Sequence, residues 1–105
     1  MSDYPQIDAA YRALAKAVVE AIDADPNTLE GEALEKLKSA MTRGSRPCFL
    51  VVTHQPRVIA EARAKEASSS SERMAAGRAR VRANEEKRLA EYIDRLRAYA
   101  EGGDA

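Results

Sequence analysis

Residues 46–56 read RPCFLVVTHQP, and the fold turns on whether they form a strand. Phe49, Leu50, Val51 and Val52 follow one another without a polar break, bounded by Gly44 and Pro47 on one side and Pro56 on the other. Bulky and β-branched residues in such a run carry the signal of a buried strand of about five residues. A lone strand leaves its backbone N–H and C=O groups unpaired, which is costly away from water. No other stretch of the 105 residues has comparable strand character. Three arrangements would satisfy it: pairing with its own copy in a homodimer, addition to the edge of a partner's sheet, or burial as an extended connector beneath helices.

The flanks are helical by spacing. Ile7, Tyr11, Leu14, Val18 and Ile22 recur every three or four residues, with Tyr4 extending the stripe backward, which predicts an amphipathic helix over about 5–24. Pro26 disfavours helical geometry at Asp25, and Asn27 with Glu30 offers a capping pair for a second helix near 30–43, whose apolar face is Leu34, Leu37 and Met41. Gly44 sits where a left-handed cap would close it. Beyond the apolar run, Pro56 suits the first turn of a third helix through about Ala67, carrying Val58, Ile59 and Ala62. Four serines follow, and Ser69 with Glu72 matches a capping box that starts a final helix near 70–100, closed by Gly102 and Gly103. Leu89, Ile93, Leu96 and Ala100 form its stripe, with Tyr92 and Tyr99 beside it.

These elements predict a mainly α, single small domain with one short extended segment at about 48–53 and a long C-terminal helix. Its parts are an N-terminal helical pair over 1–44, the extended segment over 45–55, and C-terminal helices over 56–101 with a hinge at 68–71. An unbroken helix from 56 to 100 would span roughly 65 Å at about 1.5 Å per residue, beyond the width of so small a domain. Either the serines bend it, or it projects and is sheltered by a second chain. Within the chain, Tyr11, Leu14 and Val18 are expected to pack against Leu89, Ile93 and Leu96.

Composition narrows the function. Aromatics are sparse, with four Tyr, one Phe and no Trp, and Ala fills about a fifth of the positions, so the core is thin and helices must approach closely. Net charge is zero, yet residues 1–42 carry eight acidic and four basic side chains and residues 43–105 carry nine and thirteen. One cysteine, Cys48, excludes an internal disulfide and cannot form a thiolate metal cage alone; beside Phe49 and Leu50 it reads as a small buried hydrophobe. Asp3 and Asp8 give the first residues neither the basic start nor the apolar core of a secretion signal, and no apolar run approaches the roughly 20 residues of a membrane span. A cytoplasmic protein that does not engage membranes is the expectation.

FLVVTHQPRVIAEA, residues 49–62, resembles the strand and switch-histidine loop of ABC-type ATPases, which would place His54 at a nucleotide's terminal phosphate. Those enzymes also need a G-x-x-x-x-G-K-[ST] loop and an acidic strand end, and the chain has neither, so His54 is assigned no such role. Cys48 and His54 would lie about 20 Å apart on a regular strand, too far for a nucleophile and base. Adjacent carboxylates such as Glu85 and Glu86 point to different sides of a helix. No catalytic residue, metal ligand or cofactor is therefore expected, and the chain reads as a non-enzyme.

Two function classes remain. The first is a protein-interaction factor, an adaptor, assembly subunit or inhibitor of bacterial or phage type given the Ala and Arg richness. It would contact another protein, or its own copy in a homodimer, through Phe49, Leu50, Val51, Val52, Met74, Val81, Leu89, Tyr92, Leu96 and Tyr99. The second is a nucleic-acid-associated accessory protein using Arg73, Arg78, Arg80, Arg82, Lys87 and Arg88, whose guanidinium forks suit phosphates. Their spacing distributes charge around a helix, and a solvated helix whose arginines meet the acidic N-terminal half is the simpler expectation.

Overall fold

The computed structural model describes residues 4–41 and 46–103, which include no strand. Helix α1 spans Pro5–Ala24, a 3-10 turn Pro26–Leu29, α2 Gly31–Ala40, α3 Arg46–Phe49, a π-helical turn Leu50–His54, α4 Gln55–Ala67 and α5 Glu72–Ala100. Mainly α with a long C-terminal helix is what the spacing predicts. The extended segment is the correction, since residues 46–67 run as one helical path with a widened turn in its middle.

Elementary chemistry explains the widening. Proline cannot donate a backbone hydrogen bond, and its ring crowds the carbonyl four residues earlier, so Pro56 is incompatible with a regular α-turn closing on Val52. A π-turn inserts slack: the Gln55 N–H bonds to the Leu50 carbonyl, five residues back. The Thr53 hydroxyl donates to the Phe49 carbonyl at 2.7 Å. The segment thus pairs its backbone with itself, and no partner sheet is needed. Its buried positions are Cys48, Val51, Val52, Gln55, Pro56, Ile59 and Ala62, a spacing of three and four that an unbroken apolar run conceals.

The other boundaries differ by a few residues. The expected Asn27 and Glu30 capping pair for the second helix is not formed: α2 starts from Glu30 without a side-chain cap, and Asp25 caps the 3-10 turn ahead of it, its carboxylate accepting from the Asn27 N–H at 2.9 Å. Ser71, not Ser69, caps α5, its hydroxyl accepting from the Met74 N–H at 3.2 Å. The expected cap at Gly44 lies outside the described residues.

At Ser68–Ser71 the chain reverses, so α4 and α5 pack as an antiparallel hairpin and the rod is folded back on its own chain. That removes the need for a neighbouring molecule to shelter it. Ala15, Val18, Val19, Cys48, Val51, Val52, Leu96 and Tyr99 make the core, with Leu14, Ile22, Leu37, Leu89 and Ile93 around it. The expected pairing of α1 with the second half of α5 is present there, although Tyr11 stays at its edge. The molecule measures 53 × 27 × 21 Å with a radius of gyration of 15.7 Å, against about 13 Å for a compact domain of this length.

Candidate interaction surfaces

Inter-helix arginines anchor the architecture and consume much of the charge. Arg12 of α1 donates through Nη1 to the Tyr99 carbonyl at 2.6 Å and the Gly103 carbonyl at 2.8 Å. The Tyr99 carbonyl, in the last turn of α5, also accepts from the Gly102 N–H at 3.1 Å, so Arg12 adds a charged donor there and ties the residues just past the helix to α1. Its Nε bonds to Asp8 at 2.9 Å, and its guanidinium lies 4.4 Å from the Tyr99 ring centroid. That bond holds the Asp8 carboxyl below its ordinary range. Burial pushes the Tyr99 phenol up, with smaller pushes from Asp8 and the nearby Cys48.

Elsewhere Arg97 forks onto Asp23 at 2.7 and 2.9 Å, joining α5 to α1. Arg63 of α4 bridges Glu30 and Glu86, both at 3.0 Å, and Arg82 of α5 joins Glu66 to Glu86. Five charges thereby form one chain from the start of α2 across α4 and α5. The acidic N-terminal half takes Arg63 and Arg97, as the charge asymmetry suggests, but Arg82 is satisfied inside the hairpin.

These pairs imply acid sensitivity with a defined sign. Glu86 is held below its ordinary 4.5 chiefly by the hydrogen bond from Arg63, then by Arg82. Asp8 and Asp23 are held below 3.8 by Arg12 and Arg97. A carboxylate depressed in the folded state stabilises it above the unfolded pKa and loses that contribution as pH falls through the folded one. The unfolding midpoint is expected to be flat from pH 6 to 7.5 and to fall progressively below about pH 4.5. A midpoint unchanged down to pH 3 in thermal melts would contradict the pairing.

Between the end of α1, the 3-10 turn, α2, α4 and α5 lies an open groove of about 620 Å³. Ile22, Leu29, Leu34, Ile59, Leu89 and Ile93 line it, with the Glu30–Arg63–Glu86 bridge among its walls. A second apolar feature sits at the opposite reach of α1. Tyr4 is 68%, Ile7 50% and Phe49 56% exposed, with Tyr11 beside them on the α1 stripe. Phe49 belongs to α3, which packs against α1, and the Tyr99 hydroxyl bonds to Asp8, the neighbour of Ile7 in α1. The α1 stripe thus outruns the core at one end of the molecule.

The sequence-derived contact residues divide accordingly. Val51, Val52 and Leu96 are fully buried and Tyr99 nearly so, so they are core and cannot meet a partner in the folded chain. Leu89 and Tyr92 pack against that core, and Leu50 lines a shallow pocket with Tyr92. Phe49, Met74 and Val81 are exposed. Of the six cationic candidates, Arg82 is held by Glu66 and Glu86 and Arg88 lies 3.5 Å from Glu85. Arg73, Arg78, Arg80 and Lys87 are exposed on α5.

Ile7 and Tyr11 as exposed residues, Arg12 as a cap and Gln55 as a buried anchor were not legible beforehand. Gln55 is 2% exposed and donates to the Glu85 carbonyl and carboxylate, both at 2.8 Å. An i, i+4 Asp8–Arg12 pair is visible in the sequence, but its targets 87 and 91 residues away are not. Cys48 is buried in the core whereas His54 is exposed, which places thiol and imidazole in different environments. Among the described residues, no three His, Cys, Asp or Glu side chains cluster to hold a metal ion, and no helix is long and apolar enough to cross a membrane. No protein-family model, curated protein or solved structure matches the chain.

Proposed function

We propose that this protein is a non-catalytic interaction factor, an adaptor, assembly subunit or inhibitor, that works by contact with another protein. The observation that carries the reading is the exposure of Tyr4, Ile7 and Tyr11 on the α1 stripe and of Phe49 on α3, a helix that packs against α1. Three of the chain's five aromatic residues are among these exposed positions. Aromatic residues are concentrated in the energetic centres of interfaces, where large rigid side chains exclude water at low entropic cost. A second copy of the chain is one candidate partner. Strand addition is withdrawn, because the Phe49 segment is helical and satisfies its own backbone.

A photo-crosslinking amino acid placed at position 49 in living cells, with exposed position 17 as control, tests the reading. Position 49 is expected to give protein adducts of defined mass, and position 17 none. An adduct of twice the chain mass identifies a homodimer. Ile7→Asp should abolish the adduct while changing stability by no more than about 0.5 kcal/mol, as exposed substitutions generally do. Identical adducts from both positions, or none from 49, would reject the apolar end as the contact surface.

A further inference from the structure

The outward face of α5 carries cations that no described carboxylate pairs with. Arg12, Arg63, Arg82 and Arg97, which face other helices, are each engaged with carboxylates or carbonyls. Arg73, Arg80 and Lys87 are exposed and form no ion pair with any described carboxylate. They stand seven residues apart, and a seven-residue step on a straight α-helix drifts by only about 20°. The three cations therefore share one line of about 21 Å, at about 1.5 Å per residue. Residues between them on that face are small: Ala76, Gly77, Ala83 and Asn84, all exposed. A Cβ added at Gly77 would meet nothing within 4 Å. Carboxylates return to the face only at Glu91 and Asp94, also exposed.

We infer that this stripe is a nucleic-acid contact: Arg73, Arg80 and Lys87 bind the phosphodiester backbone without reading its sequence. The inference is independent of the apolar end. Small intervening residues let a rod-like polyanion approach the helix backbone, and the planar arginine fork matches phosphate oxygens. Duplex DNA carries one charge per roughly 1.7 Å of axis, so about a dozen phosphates lie along 21 Å and the three cations find partners in any register. An acidic protein surface lacks that periodic supply of anions. Zero net charge on the whole chain is consistent, because much of the compensating carboxylate charge is tied up in intrachain pairs, and on this face it returns only past Lys87, at Glu91 and Asp94.

Fluorescence anisotropy of the full-length protein with a labelled 20-base-pair duplex, and with single-stranded DNA and RNA of about that length, provides the test. With about three phosphates neutralised at a slope near −0.9 each, duplex affinity should fall roughly 40-fold between about 50 and 200 mM salt. The combined variant R73A, R80A and K87A should lose binding and keep the wild-type circular dichroism spectrum, whereas Arg57→Ala, on α4, should retain it. Binding by any of the three nucleic acids with this pattern supports the inference, and their ranking identifies the preferred form. No binding at 100 µM protein in 50 mM salt overturns it, as does binding indifferent to the triple substitution. Tighter association with polyglutamate than with duplex overturns it in favour of an acidic protein partner.

Discussion

Leu96→Ala is expected to lower the thermal unfolding midpoint by roughly 10–15 °C, corresponding to a loss of about 3 kcal/mol. Leu96 is fully buried in the last turns of α5, in the same cluster as Val18 of α1, Cys48 of α3, and Val51 and Val52 of the π-turn. Truncation removes the transfer free energy of the lost methyl and methylene groups and leaves a cavity at a junction of several elements. The fully buried neighbours are small, mostly Ala, Val and Cys, and the larger side chains around them, such as Leu14, Leu89 and Ile93, are already packed against that cluster and must give up those contacts to fill the space. Differential scanning calorimetry measures the shift directly. A midpoint within 3 °C of wild type would mean that Leu96 is not the centre of the core.

Arg12→Met should cost about 2 kcal/mol, with hydrogen exchange accelerated selectively in the last turn of α5. Methionine keeps the length and apolar stem but offers no donor to the Tyr99 and Gly103 carbonyls, and no charge over the Tyr99 ring. Hydrogen bonds from charged donors contribute about 1.5–3 kcal/mol, and partial solvent access at Arg12 keeps the expectation toward the lower part of that range. The exchange measurement separates this role from general packing. Loss of a helix cap loosens amides near Tyr99 before those near Leu89, whereas a uniform acceleration would point to global destabilisation alone.

Much of the helical architecture was legible because its signal is periodic. The stripe through Leu14, Val18 and Ile22 gave α1, and Leu89, Ile93 and Leu96 gave the second half of α5. The Phe49–Val52 run misled because four consecutive apolar residues carry no period, while β-branching and flanking prolines both favour a strand reading. A helix settled the backbone's hydrogen bonds locally, and the π-turn absorbed Pro56. The candidate surfaces were less legible. Phe49, Met74 and Val81 look no different in sequence from Val51, Val52 and Leu96, yet the first three are exposed and the last three buried. Which side chains are covered depends on where the hairpin and α1 meet, and that is set by contacts across long sequence separations.

Local chemistry alone thus determined that this protein is helical, where most of its helices lie, and that its charges divide between two halves. Tertiary structure decided that the serines turn the chain back on itself, that Val52 and Leu96 are core, and that Arg82 is spent internally while Arg73, Arg80 and Lys87 face outward. The physical reason is range. Helix periodicity and caps are properties of neighbours within about four residues, whereas burial and ion pairing depend on which distant surfaces the folded chain brings together.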